Sequence, residues 1–312
     1  MPEPFFLGVE GGATKTTGVL ADADLRVVAR FVGRPTNLHA VGRSEAQSAL
    51  TEVLLELLTT AGTRRESLAA SALCLAGIRT AQDVPPWRQI AVGLRLPEPL
   101  FITHDAAAGL AAGSADGTGI LVVCGTGSVV YGRRADGAEK FVGGRGPLLG
   151  DEGSGFDIGH RALRAALRST DGRGPKSLLE RLIPERLGLA CLDELVPWVS
   201  PFAKDRVAGV AAIVFEAAEA GDAVAAEIVK GAVEELVRSV GVVAHALWPG
   251  GGLNRVVLSG GVLCNQPSMR LAVAAAICER LPGVKCSPPE VEGAVGAARL
   301  ARQAHVSARE AR

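Results

Sequence analysis

Hydrophobic positions along the chain change period repeatedly, and each change predicts an element. Phe5 to Glu10 is a short apolar run closed by an acid, which reads as a strand. After two glycines, Thr16 to Ala21 is β-branched and apolar, and predicts a second strand rather than a helix. Ala23-Asp24 marks a turn, and Leu25 to Phe31 predicts a third strand. From Ser44 the period lengthens. Leu50, Val53, Leu54, Leu57 and Leu58 fall on one helix face, and Ser44-Glu45-Ala46-Gln47 fits a capping box at its start. Ser71 to Ala76 and Leu100 to Thr103 read as buried strands, and Ala106 to Ala112 as a helix.

The same order then returns. Ile120 to Cys124, Val129 to Arg133 and Glu139 to Val142 predict three more strands. Helices are predicted at 157–169, 206–220 and 222–247, the last stopped by Trp248-Pro249-Gly250-Gly251-Gly252. Arg255 to Ser259 reads as a strand, Ser268 to Leu281 as a helix, Val284 to Ser287 as a strand and Glu292 to Gln303 as a final helix. A repeated order of elements implies a duplicated unit: an α/β chain of two mixed sheets, each covered by helices, with a cleft between the halves. The boundary falls near Leu110 to Gly119. The domains are then 1–112 plus about 288–312, with the last helix crossing back, and 113–287.

Composition narrows the partners. Of 312 residues 48% are hydrophobic, enough for a large core. Lys plus Arg and Asp plus Glu are 33 each, a balance that argues against nucleic acid or an anionic membrane as the main partner. The six cysteines form no C-x-x-C pair, and most sit in apolar runs, so they read as reduced core thiols of a cytosolic protein. No basic segment followed by an apolar core opens the chain, and no uncharged apolar run reaches membrane-spanning length, so a soluble cytoplasmic protein is expected.

The candidate chemistry lies in three glycine turns. Gly8-Val9-Glu10-Gly11-Gly12-Ala13-Thr14-Lys15-Thr16 joins the first two strands. Cys124-Gly125-Thr126-Gly127-Ser128 joins the corresponding strands of the second half, and Leu258-Ser259-Gly260-Gly261 ends a later strand. Glycine lets backbone N–H groups approach an anion closely. One such turn is as consistent with a plain hairpin as with phosphate binding; three at these places suit the phosphates and adenosine of a nucleotide.

These turns resemble the two phosphate motifs and the adenosine motif of the sugar kinase, chaperone and actin superfamily. The nearest resemblance is to the N-acetylglucosamine kinase branch of the BadF/BadG/BcrA/BcrD ATPase family, over about residues 7 to 300. Pro35-Thr36-Asn37, Thr103-His104-Asp105-Ala106-Ala107, Gly143-Gly144-Arg145-Gly146 and Leu149-Gly150-Asp151-Glu152-Gly153-Ser154-Gly155 support that branch. The resemblance implies two ribonuclease H-like (actin-like ATPase) domains, ATP and Mg²⁺ as cofactors, an amino sugar as substrate and a homodimer as the assembly.

By that resemblance Glu10 corresponds to the residue beside Mg²⁺, and Gly11, Gly12, Thr14 and Lys15 to the first phosphate turn. Gly125, Thr126 and Gly127 correspond to the second phosphate turn, Ala208 to a small residue beside the nucleotide, Gly260 and Gly261 to the adenosine turn, with Asn265 as a neighbour. Asn37, Ser128, Val129, Gly144, Arg145, Gly146 and Asp151 correspond to sugar contacts, and Asp105 to a sugar contact and the catalytic base. Arg145 departs from the Trp of animal members and suits a substrate with a carboxylate, such as N-acetylmuramic acid, or simply solvent.

The ordinary alternatives are a turn acid for Glu10, a helix N-cap for Asp105 and a loop residue for Asn37. His104 reads as a packed neighbour, Cys124 as strand core, and Arg161, Arg164 and Arg168 as a solvated helix face. The implied function is phosphorylation of N-acetylglucosamine or a close hexosamine at its 6-hydroxyl, with glucosamine and N-acetylmuramic acid as neighbouring acceptors. An activator ATPase of benzoyl-CoA reductase or 2-hydroxyacyl-CoA dehydratase is the alternative of another class. It needs cysteine ligands for an iron–sulfur cluster, and no obvious pair is seen. A regulator or chaperone would need a further segment, and the clustered-cysteine motif of the ROK glucose kinases is missing.

Overall fold

In the computed structural model, residues 4–12 and 14–310 are described; Ala13 of the first glycine turn lies outside them. The chain divides into two compact units, Met1–Thr118 with Pro289–Arg312, and Gly119–Pro288.

Unit 1 opens with β1 (Phe5–Gly11), β2 (Thr16–Ala21) and β3 (Val27–Gly33), and continues with β4 (Leu68–Leu75) and β5 (Leu100–Thr103). The sheet order is β3-β2-β1-β4-β5. β2 is antiparallel to β1 and β3, while β4 runs parallel to β1 and β5. Its helices are α1 (Leu38–Val41), α2 (Arg43–Thr60), α3 (Val84–Gly93) and α4 (Asp105–Gly113).

Unit 2 repeats the plan with β6 (Gly119–Cys124), β7 (Ser128–Arg133), β8 (Glu139–Gly143), β9 (Arg255–Ser259) and β10 (Lys285–Ser287), in the order β10-β9-β6-β7-β8. Between β8 and β9 lie α5 (Gly155–Thr170), α6 (Leu179–Leu187), α7 (Leu195–Trp198), α8 (Lys204–Gly209), α9 (Ala211–Glu219) and α10 (Ala223–Leu247). Helices α11 (Gly261–Asn265) and α12 (Pro267–Arg280) follow β9, and α13 (Gly293–Glu310) closes the chain within unit 1. Read from the third strand, each sheet has the same order and the same pattern of directions, the signature of a duplicated fold.

The central strand of each sheet is buried on both faces, so β1 and β6 read as near-continuous apolar runs. Helix α13 lies against β1, and small residues set the distance. A Cβ at Gly8 would stand 2.3 Å from the carbonyl oxygen of Ala294, and one at Gly296 would stand 2.2 Å from that of Ala108. One helix therefore packs on a strand and on α4 at backbone contact. This close fit brings the starts of α4 and α13 beside the end of β1.

Several local expectations are corrected. No capping box forms at Ser44: α2 starts at Arg43 with Gly42, at φ 79°, in the cap position and no side-chain cap. A capping box forms instead between Thr80 and Asp83. The helix expected at 206–220 is two helices, broken after Gly209, the residue with the weakest helix propensity in that stretch. Helix α3 was unforeseen because Pro85 and Pro86 look like breakers, yet they occupy the first turn, where the missing N–H has no intrahelical partner to lose. Of the six cysteines only Cys74 and Cys124 are buried; Cys191, Cys264 and Cys278 are exposed and Cys286 is intermediate.

Candidate active site

In unit 1, Glu10 stands near the end of β1, where Gly11 and Gly12 begin the turn to β2. The Gly12 N–H donates to the carbonyl of Lys15 at 2.9 Å, closing a four-residue turn whose Thr14 and Lys15 side chains are exposed. The Thr36 N–H donates to the Gly12 carbonyl at 3.3 Å, and Thr16 Oγ1 donates to Thr36 Oγ1 at 2.9 Å. No side chain fits at Gly11, whose Cβ would meet Thr36 Oγ1 at 2.1 Å. The Pro35-Thr36-Asn37 segment is thus sewn to the first glycine turn. Asn37 caps α1 through Oδ1, which accepts from the His39 N–H at 3.0 Å.

Asp105 is the first residue of α4, not its cap. The cap is His104, buried, whose Nδ1 accepts from the Ala107 N–H at 3.2 Å. Freed from capping, Asp105 keeps an exposed surface and, among the described residues, makes a short local contact, its Oδ1 accepting from the Ala106 N–H at 3.0 Å. Surrounding protein displaces water and lifts its carboxyl above the usual range, opposed by His104, the Ala106 N–H and Arg79. That surface still admits a reactant, so the carboxylate is both reachable and more basic than a free aspartate.

Glu10 is perturbed further. Burial raises its carboxyl from an ordinary 4.5 to about 7; Asp105 and then Glu292 add repulsion, while Lys15 opposes. The repulsion belongs to the Glu10–Asp105 pair, and the deeper acid carries it. Glu292 is committed elsewhere, in a two-pronged pair with Arg30 that includes a 2.8 Å contact. A Cβ at Gly293 would touch Glu10 Oε1 at 2.3 Å, so only glycine there leaves space for the acid. Among the described residues Glu10 forms no ion pair, Lys15 acting on it only as a nearby charge, and it stands beside a second acid; a divalent cation is what such a pair fits. Among the described residues no cluster of three His, Cys, Asp or Glu side chains could cage a metal, so most ligands would come from substrate and water, as Mg²⁺ prefers.

In unit 2 the corresponding turn is braced. The Gly125 N–H donates to the Gly127 carbonyl at 2.9 Å, and the first residues of α5 donate back to the turn, Gly155 to the Gly125 carbonyl at 2.8 Å and Phe156 to the Thr126 carbonyl at 3.2 Å. The Thr126 hydroxyl has no protein partner among the described residues and is available to a ligand. Ser128 Oγ donates to the Glu152 carbonyl at 2.7 Å. Gly260, at φ 96°, lies so close to Cys124 that a Cβ would meet its carbonyl oxygen at 2.4 Å, which seats the third glycine turn beside the second. A Cβ on Gly125 would stand 3.5 Å from the Gly261 nitrogen, and one on Gly155 would stand 3.4 Å from the Ala208 oxygen. Gly125, Ala208, Gly260 and Gly261 therefore converge, with Asn265 exposed at the end of α11. Burial pushes the Cys124 thiol up to about 12, so it stays protonated and structural.

Asp151 adopts the left-handed conformation at φ 59°, a costly choice for a non-glycine residue. The conformation turns its carboxylate under the second glycine turn. There Oδ2 accepts from Lys204 Nζ at 2.7 Å and Oδ1 lies 3.5 Å from the Ser128 nitrogen. The pair leaves no room at Gly127, where a Cβ would lie 2.8 Å from Lys204 Nζ. Lys204 escaped the sequence reading; its only signal was a lone lysine four residues before Ala208 at a helix start. Asp151 itself is 3% exposed, so a sugar would reach it from one side at most. Gly144, at φ 67°, rests on Val129, with a Cβ there 3.0 Å from Val129 Cγ2, and the chain to Gly146 and Gly150 folds back, leaving Arg145 exposed.

Comparison with known proteins gives a consistent answer. The model of the BadF/BadG/BcrA/BcrD ATPase family matches residues 7–301. An N-acetylmuramic acid/N-acetylglucosamine kinase of Clostridium acetobutylicum is 31% identical over 300 residues, covering 96% of this chain and 98% of its own. An N-acetyl-D-glucosamine kinase of Dictyostelium discoideum is 28% identical over 320 residues, with the same coverage. Among solved structures, a candidate N-acetylglucosamine kinase of Chromobacterium violaceum superposes with a TM-score of 0.71 at 25% identity, covering 96% of this chain and 99% of that one. Matched along nearly its whole length, with both glycine turns and the acidic pair inside the matched span, the chain belongs to the BadF/BadG/BcrA/BcrD ATPase family.

Proposed function

We propose that this chain is an ATP-dependent amino-sugar kinase that transfers the γ-phosphoryl group to the 6-hydroxyl of N-acetylglucosamine or a close hexosamine. The observation that carries the reading is the pair of perturbed carboxylates, Glu10 and Asp105, beside a glycine–hydroxyl turn. In this reading Asp105 accepts the proton of the sugar hydroxyl as its oxygen attacks the γ-phosphorus and the bond to the β-phosphate oxygen breaks, releasing ADP. A base somewhat stronger than free aspartate suits that step, because phosphoryl transfer asks mainly for positioning and charge neutralisation. Glu10 holds Mg²⁺, directly or through water; the ion's contribution is to offset the charge of the phosphates. Backbone N–H groups and hydroxyls of Gly11, Gly12, Thr14, Gly125, Thr126 and Gly127 take the phosphates, with Lys15 adding charge. Ala208, Gly260, Gly261 and Asn265 line the nucleoside.

Asn37, Ser128, Val129, Gly144, Arg145, Gly146 and Asp151 hold the sugar in this reading. A specific observation favours an acceptor with a carboxylate as a second reading: Arg145 is exposed on a loop whose glycines give its backbone freedom. A lactyl-bearing amino sugar would satisfy it.

The test is a panel of glucosamine, N-acetylglucosamine, N-acetylmuramic acid, N-acetylmannosamine and glucose with ATP, read by phosphorus NMR of the product. A phosphate ester at C6 of one amino sugar is expected. ATP hydrolysis that leaves every acceptor unmodified overturns the reading.

A further inference from the structure

Outside the candidate site, unit 2 carries a groove of about 380 Å³ at the C-terminal half of α5. Arg161, Arg164 and Arg168 project into it from successive turns of that helix, Arg173 joins from the following loop, and Val224 and Ile228 of α10 form its apolar side. Among the described residues no carboxylate lines it.

The charges do not balance locally. Arg161 lies 3.7 Å from Asp157, and its guanidinium sits on α10 where a Cβ at Gly231 would be 2.8 Å away. Arg173 pairs with Asp171. Arg168 gives one N–H to the Arg173 carbonyl at 3.4 Å and, in the last turn of α5, gains from the helix dipole. Arg164 has no partner among the described residues. Two of the four guanidinium charges thus stand uncompensated on one helix face, where like charges three and four residues apart repel. A solvated face explains exposed arginines; it does not explain a fourth arginine brought by a loop to the same groove, or an apolar wall beside them.

We propose that this groove binds a phosphorylated small molecule, its phosphate oxygens on Arg164, Arg168 and Arg173 and its uncharged body against Val224 and Ile228. Planar guanidinium forks match phosphate oxygens pairwise, and the groove has the volume of a small-ligand site. The site is separate from the second glycine turn. Helix α5 meets that turn at Gly155, and at 1.5 Å per residue Arg164 and Arg168 lie about 14 and about 20 Å along it. The proposal is independent of the kinase reading, since binding alone is measured.

The experiment titrates the full chain and Arg164→Gln/Arg168→Gln by calorimetry with pyrophosphate, with glucosamine 6-phosphate and with ADP, so that binding at any nucleotide site is common to both. One binding event of the wild-type protein is expected to weaken at least ~10-fold in the variant as two charge-assisted contacts are lost. The variant should still melt cooperatively. The probe that binds tightest identifies the source of the phosphate. No event in the wild type, or equal binding in the variant as an adventitious ion only, overturns the proposal. Should the variant melt without cooperativity, Arg164→Lys/Arg168→Lys keeps the charge and is read instead, with a several-fold loss expected and unchanged affinity counting against the site.

Discussion

The two units share one strand order and brace the turn after the first strand alike, yet the charges around that turn differ. In unit 1 the turn at Gly11-Gly12 is held by the Ala76 and Thr36 N–H groups, and three acids gather around it: Glu10, Asp105 and Glu292. In unit 2 the turn at Gly125-Thr126-Gly127 is clamped by two N–H groups of α5 and by the Asp151–Lys204 pair against its underside. The same scaffold therefore holds an edge of mutually repelling acids in one copy and an ion-paired edge in the other. Duplication supplied the geometry; the helix starts that flank each turn supplied the difference.

The largest effect expected from breaking this contrast is at Asp105. Asp105→Asn keeps the size and the helix start but removes the base, and turnover should fall by at least ~3 orders of magnitude while nucleotide binding persists. Steady-state kinetics beside a nucleotide titration checks this, and near-normal turnover would remove Asp105 from the chemistry.

The clamp in unit 2 comes next. Lys204→Met leaves the Asp151 carboxylate, 4% exposed, without its partner and should cost about 3 kcal/mol in urea unfolding, discounted because Lys204 is itself partly exposed. Adding Asp151→Asn removes the orphaned charge and should restore most of the loss. If the single and double variants unfold alike, the pair is not the brace described.

Unit 1 should respond in the reverse sense. Glu10 carries a carboxyl raised from 4.5 to about 7, so above pH 7 its ionisation disfavours the ligand-free fold by up to about 3 kcal/mol. The native state binds the extra proton between those values, so this contribution to stability grows as pH falls from 7 towards 4.5. Glu10→Gln should raise the melting temperature of the ligand-free protein at pH 8 and erase the gain at pH 5, while losing metal-supported activity. A variant that melts below wild type at pH 8 would contradict the strain. The smallest effect is in the wild type itself: below pH 7 proton and cation compete for Glu10, and the Mg²⁺ concentration for half-maximal rate should rise about tenfold per pH unit, about 1.4 kcal/mol.

Most of the scaffold was legible because its strands are short apolar runs bounded by glycine and its long helices keep a regular face. The glycine turns were legible for the same reason: little else explains Gly125-Thr126-Gly127 between two β-branched runs. Long-range partners were not. Nothing near Asp151 announces Lys204, which arrives from 53 residues away. Nothing near Asp105 says that His104 takes the capping role, because capping by an imidazole nitrogen has no sequence signature. The arginines of α5 were visible as a face, whereas their groove depends on Arg173 and α10. Contacts set by tertiary packing leave no periodic trace.

The placement of α13 has a consequence for synthesis. The strand that bears Glu10 is made more than 280 residues before the helix that packs on it at Gly8. A nascent chain must carry an uncovered β1 face until the eighteen residues of α13 leave the ribosome. The first half ripens only when the second has been built, and a message cut short before Gly293 leaves Glu10 without the helix start that packs against it.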